Sequence, residues 1–130
     1  MNSHSNSIEV KRRRREIRET ARVLLVGRVF LHPQFLNAIK INMAGIKEWL
    51  NQPHRHYAAK NEALLDLQKL IQQSEYLGTK SDPKGRDYIT TGHIFMTTIA
   101  GEPSWIIVSE TIWGEFWVHS VSDNYPYINE

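Results

Sequence analysis

At Ser74 the hydrophobic pattern of this chain changes period, and that change limits the possible folds more than any other feature. Up to that residue, apolar side chains recur at three- and four-residue spacings, as on helix faces. Beyond it come four short segments of strand character: Glu75 to Thr79, His93 to Ala100, Trp105 to Thr111 and Glu115 to Val121. Gly101-Glu102-Pro103 and Trp113-Gly114 leave room only for tight connections, so the last three strands should form an antiparallel meander. A long polar loop, Lys80 to Gly92, separates the first two. Helices followed by strands predict an α+β fold, with N-terminal helices packed on one face of a four-stranded, mainly antiparallel sheet.

In the helical part, Ile8 to Val26 reads as a helix with Val10, Ile17, Ala21 and Leu24 as its apolar stripe and Gly27 as its stop. Ala38 to Met43 alternates, placing Ile39 and Ile41 on one side, as in a half-buried strand. Ala44 to Leu50 predicts a short helix carrying Ile46, Trp49 and Leu50. Asn51 is then positioned to cap a second helix, from about Pro53 to Gln73, with Tyr57, Leu64, Leu67 and Ile71 buried.

Charge divides the chain unevenly. Residues 1–28 hold eight Lys or Arg against three Glu, a charge of +5, whereas the remainder carries −3. The basic excess centres on Lys11-Arg12-Arg13-Arg14-Arg15, which suits a phosphate backbone or else forms a solvated helix face offset by Glu16 and Glu19. On this basis residues 1–26 read as a basic helical arm and 27–130 as the folded domain. The chain has no cysteine, which excludes disulfides, a thiol nucleophile and Cys-based metal sites. No apolar run approaches the roughly 20 residues needed to span a bilayer. A cytoplasmic protein without a membrane partner is expected.

The start of the predicted second helix concentrates titratable groups. His56 and Lys60 share a helical face one turn apart, while His54 points nearly opposite to His56. Lys60 lies at the end of the Leu64, Leu67 and Ile71 stripe, near helix N–H groups that favour an anion. It therefore either holds a phosphate or snorkels over Tyr57 and Leu64. A metal is not expected, because histidines at i and i+2 of a helix diverge and no third ligand is near in sequence. On the last strand, strict alternation puts Phe116, Val118 and Ser120 on one face and Trp117, His119 and Val121 on the other. Trp105 and Trp113 are either core or stacking platforms for bases. A supply of His, Lys, Arg, Ser and Tyr without clustered carboxylates suits metal-independent cleavage of RNA, with proton transfers and cationic charge stabilisation and no cofactor.

The run Gly45-Ile46-Lys47-Glu48-Trp49-Leu50-Asn51-Gln52-Pro53-His54-Arg55-His56, with Lys60-Asn61-Glu62 and Leu64-Leu65, resembles a phage-associated domain. So do Ser104-Trp105-Ile106-Ile107-Val108 and Val118-His119-Ser120-Val121-Ser122-Asp123. That domain occurs at the C-terminus of head-morphogenesis proteins of phages and prophages. It is grouped with the barnase–EndoU–colicin–RelE-like ribonucleases, whose core is a helix pair followed by a four-stranded antiparallel sheet. The resemblance covers about residues 27–130. It implies a toxin-type endoribonuclease of a mobile element, with His54, His56 and Lys60 from the helix and Ser120 from the final strand as catalytic residues. RNA is the implied partner, held by Lys47, Arg55, Lys84, Arg86 and the arm residues Arg12, Arg13, Arg14 and Arg15. An inhibitor protein or a phage structural protein is a further expected partner. Two other readings stay open: a non-catalytic nucleic-acid- or protein-binding module of phage head morphogenesis, and a DNA-binding regulator acting through the Arg-rich helix.

Overall fold

The computed structural model describes residues 3–82 and 85–128, with side chains from residue 7 onward. Its first helix, α1 (Ser3–Leu25), ends where Gly27 takes a positive φ of 89°, a conformation that glycine adopts without a Cβ penalty. Ile17, Ala21 and Leu25 are its buried residues, spaced four apart, while Leu24 faces solvent. The apolar stripe is thus rotated by one residue at its C-terminal end. These side chains enter the same core as Phe30, Trp49, Leu64 and Phe95, so α1 is an integral layer of the domain and not a detached arm.

Strand β1 (Ile39–Lys40) buries Ile39 and leads into α2 (Met43–Asn51). Asn42 caps α2, its Oδ1 accepting the Gly45 N–H at 3.0 Å. Ile46, Trp49 and Leu50 are buried, as their spacing predicts. The expected cap at Asn51 is absent, because α2 runs through that residue. Gln52 is extended, as the residue before a proline prefers, and Pro53 lies in the following loop. The helical path resumes as α3 (Tyr57–Ala63), a single 3₁₀ turn (Leu64–Asp66) and α4 (Leu67–Gln73), with Leu64, Leu67 and Ile71 fully buried.

Four longer strands follow: β2 (Glu75–Lys80), β3 (Ile89–Ile99), β4 (Glu102–Thr111) and β5 (Phe116–Ser122). The last three form the expected antiparallel meander. The sheet has five strands rather than four, in the order β1-β5-β4-β3-β2, because β1 adds to β5 in parallel through Ile39↔Phe116 and Lys40↔Trp117. It is therefore mixed but mainly antiparallel. Beyond the short β1, α2 takes over the edge of β5. Gly45 packs there so tightly that a Cβ would lie 2.4 Å from the Val118 carbonyl oxygen. Ile106, Val108, Val118 and Val121 face the helices and complete the core. At one end of the opposite sheet face, the Tyr125 ring meets Trp105 edge-on at 5.6 Å. Among the described residues no helix is long and apolar enough to cross a membrane.

Candidate functional site

The residues singled out on the helices do not converge. Lys60 is fully buried, and its Nζ donates to the carbonyls of Trp49, Leu50 and Gln52 at 2.6, 3.2 and 2.8 Å. These carbonyls at the end of α2 lack an intrahelical donor, and that of Leu50 also accepts the Tyr57 hydroxyl at 2.6 Å, so Lys60 is an internal C-cap joining α2 to α3. The Trp49 indole N–H returns a bond to the Lys60 carbonyl, and the Tyr57 ring lies 4.3 Å from Nζ. Burial, and secondarily the Arg14 guanidinium, bring its pKa down to about 8. An ammonium sealed in this way has no path to a phosphate in solvent.

His54 is similarly engaged. Its Nδ1 accepts the His56 backbone N–H at 2.9 Å, which puts the proton on Nε2, where it donates to the Ser104 hydroxyl at 2.9 Å. Burial holds its pKa below the ordinary histidine value, against the opposing pull of Asp123. His56 begins α3 half-exposed, its ring 6.1 Å from that of His54. Arg55 sits at the surface between Glu102 and Asp123. Ser104 shares the helix-facing side of β4 with Ile106 and Val108, so the histidine pair and Ser120 belong to opposite sides of the sheet.

Ser120 reaches the other side through a β-bulge that alternation alone does not reveal. Val118 pairs with Val108, yet Ser120 pairs with Ile107, leaving His119 as the extra residue. Val118 and Val121 therefore both face the core, and His119 and Ser120 both line a cavity of about 300 Å³ on the far face. The expectation that Ser120 shares a face with Phe116 and Val118 is corrected by that single insertion. Around the same cavity stand Ser109 on β4, Lys80 at the end of β2, Arg86 in the β2–β3 connection, Glu48 on α2 and Gln52 just past its end.

Arg86 is held there with care. Asp82 accepts from the Arg86 backbone N–H at 2.8 Å, from Nε at 2.9 Å and from Nη2 at 3.1 Å, and this pairing raises the arginine pKa. A two-pronged carboxylate–guanidinium contact fixes the plane of the cation. Glu48 Oε1 accepts from Gln52 one turn on at 3.2 Å. The cavity thus combines an imidazole, two carboxylates (Glu48, and Asp82 paired with Arg86), two cations and hydroxyls, a set able to bind an anion and move protons. Of the candidate residues named from the sequence, Ser120 and Arg86 meet here, whereas His119, Glu48 and Lys80 were not among them. Lys84 lies outside the described residues. His93, on the helix-facing side, instead joins Tyr76 and Glu110 at 2.9 and 2.7 Å.

The arginine run divides between two surfaces, as consecutive helical residues must. Arg12 pairs with Glu9, and Arg13 forks onto Glu62 at 2.6 and 2.8 Å while also reaching Glu16. Arg14, whose Nη1 donates to the Tyr57 hydroxyl at 3.2 Å, borders both surfaces, and Arg15 lies on the second. With Lys11, Arg18 and Lys47 they line a groove of about 270 Å³ between α1 and α2 whose charged residues are all cationic. Among the described residues no group of three or more His, Asp or Glu is placed to hold a metal ion.

No curated protein and no solved structure matches the chain. A family model does, over residues 8–120, from within α1 to the Ser120 that lines the cavity, so the match takes in the basic helix as well as the sheet. The chain accordingly belongs to the family described as Large polyvalent protein-associated domain 3.

Proposed function

We propose that the protein is a metal-independent endoribonuclease whose reaction takes place in the cavity around His119. One observation carries this reading: the bulge in β5 brings His119 and Ser120 into the cavity that Arg86, Lys80 and Glu48 also line. In the proposed reaction the Glu48 carboxylate takes the proton of a ribose 2′-hydroxyl, and that oxygen forms its bond to phosphorus. The bond from phosphorus to the 5′-oxygen breaks, and protonated His119 gives its proton to the departing oxygen. The products are a 2′,3′-cyclic phosphate and a 5′-hydroxyl. Arg86 and Lys80 offset the charge that accumulates on the phosphorane, with hydroxyls of Ser109 and Ser120 at its rim. The cationic groove between α1 and α2 adds backbone affinity independent of sequence.

Such an enzyme suits a family named for large polyvalent proteins. In this proposal it acts as a toxin-type effector of a phage or another mobile element, on RNA in the cytoplasm. An inhibitor protein covering this sheet face would protect the producing cell. The catalytic assignment moves from His54 and Lys60, which are engaged inside the fold, to His119. The test is cleavage of total RNA in EDTA by the pure protein. Cleavage is expected for the wild type and for His54→Gln, and loss for His119→Ala and Arg86→Ala with unchanged melting. Intact RNA with the wild type, or equal cleavage by His119→Ala, overturns the proposal. The cationic groove by itself supports a second reading, a non-catalytic binder, for which RNA or duplex DNA is shifted in a gel and left whole.

A further inference from the structure

We infer that a second cavity beside the first is a nucleobase subsite, so that the substrate is RNA with an unpaired, splayed-out base next to the bound phosphate. The inference rests on reading the first cavity as the phosphate site. The second cavity, of about 440 Å³, shares His119, Arg86, Glu48 and Ser109 with the first, so the two are neighbouring parts of one groove. Its outer wall is aromatic, made by Tyr88, Trp113 and Trp117.

Trp113 is 69% exposed and Tyr88 46%, so neither contributes much to the core. Both are nevertheless held in place. The Thr111 hydroxyl accepts the backbone N–H groups of Trp113 and Glu115, and the Gly114 N–H closes the turn onto the Thr111 carbonyl at 3.0 Å. The Ile112 N–H donates to the Tyr88 carbonyl at 3.0 Å, tying the two aromatic segments together. Exposed rings on a hydrogen-bonded turn form a ready platform that needs little ordering when a flat ligand arrives. Trp117 is only half-exposed, with Lys40 4.8 Å from its ring centroid, so the exposed Trp113 and Tyr88 form the stacking pair.

Arg86 joins the two halves. It lines both cavities, and its guanidinium carbon lies 5.9 Å from the Tyr88 ring centroid. With its Nε and Nη2 turned to Asp82, the guanidinium can meet a phosphate oxygen with its remaining N–H groups and a base with its flat side. A phosphate at Arg86 would therefore leave the adjoining base over the aromatic wall. Stacking of this kind tolerates every base, since each has a π face, but requires that the base be out of a duplex.

The test compares two short oligonucleotides built on 2′-O-methyl ribose, which cannot be cleaved through a 2′-hydroxyl. One carries its bases, and the other is abasic at the central positions. Binding to the full chain is followed by tryptophan fluorescence and by titration. Wild type should prefer the base-bearing probe, and Trp113→Ala and Tyr88→Ala should each weaken it by about 5- to 150-fold, the range of one lost stacking contact. Abasic binding should not change in those variants, while Arg86→Ala should weaken both probes. Equal binding of the two probes by wild type, or no effect of either aromatic substitution, overturns the subsite and leaves the cleavage proposal standing. Base-dependent binding by a protein that leaves RNA whole has the reverse meaning. If neither probe binds, the phosphate site and the subsite fail together.

Discussion

Replacing Lys60 with Met separates a structural lysine from a catalytic one. The substitution removes three donors to the Trp49, Leu50 and Gln52 carbonyls and keeps the side-chain stem that fills the space. Hydrogen bonds to a charged group are worth about 1.5–3 kcal/mol each, so roughly 4–9 kcal/mol is at stake. Against this, the variant no longer buries an ammonium. A pKa drawn from 10.5 to about 8 corresponds to about 3 kcal/mol of relief at neutral pH. The net expectation is a loss of roughly 1–6 kcal/mol, against the 5–15 kcal/mol typical of a domain. Urea unfolding followed by tryptophan fluorescence at pH 7 measures it. The sign with pH is opposite to that of a salt-bridged lysine. Because the folded pKa is the lower one, the unfolded chain holds the extra proton between about pH 8 and 10.5. Wild-type stability should therefore rise relative to Lys60→Met through that window. Cleavage per folded molecule should be unchanged by the substitution. Coincident urea midpoints, or an intact fold that has lost its cleavage, would refute the assignment of Lys60 as a helix cap.

Three further expectations follow from the packing. Gly45→Ala should destabilise by about 1–3 kcal/mol in urea, since its Cβ would collide with the Val118 carbonyl and force α2 off the β5 edge. His54 has a depressed pKa, so the unfolded chain takes up its proton first as pH falls below about 6.5. Stability should drop with acid from that point, and the slope between pH 7 and 5 should be shallower in His54→Gln. Ala100 has a φ of 53° in the β3–β4 turn beside Gly101, and Ala100→Gly should raise the melting temperature through about 0.5–1 kcal/mol of relieved strain.

The layout of this fold was readable from periodicity because each element buries one face. Ile46, Trp49 and Leu50, or Leu64, Leu67 and Ile71, announce their helices, and the turn residues announce the meander. The break between α2 and α3 was hidden by chemistry that admits two answers. A proline two residues after an asparagine opens a helix as readily as it follows the end of one, and only the extended Gln52 decides between them. Lys60 posed the same kind of choice. Its position at the rim of an apolar stripe is compatible with a phosphate clamp or an internal cap, and the end of α2, eight to eleven residues earlier in the sequence, selects the cap.

The candidate site was less legible for a deeper reason. A period of two assigns every strand residue to a face only while the register is unbroken, and one extra residue reverses all assignments beyond it. The inserted His119 leaves Val118 and Val121 both facing inward and delivers two adjacent polar residues to one cavity, which regular alternation forbids. The local sign of this was already present in Val118-His119-Ser120-Val121, where two apolar residues bracket a polar pair. A uniform strand would put one of those polar side chains among the apolar core residues, whereas the bulge turns both toward the cavity on the opposite face. The lost ladder pairing is what brings an imidazole and a hydroxyl side by side, and bulges recur near active sites because they re-aim a side chain in this way.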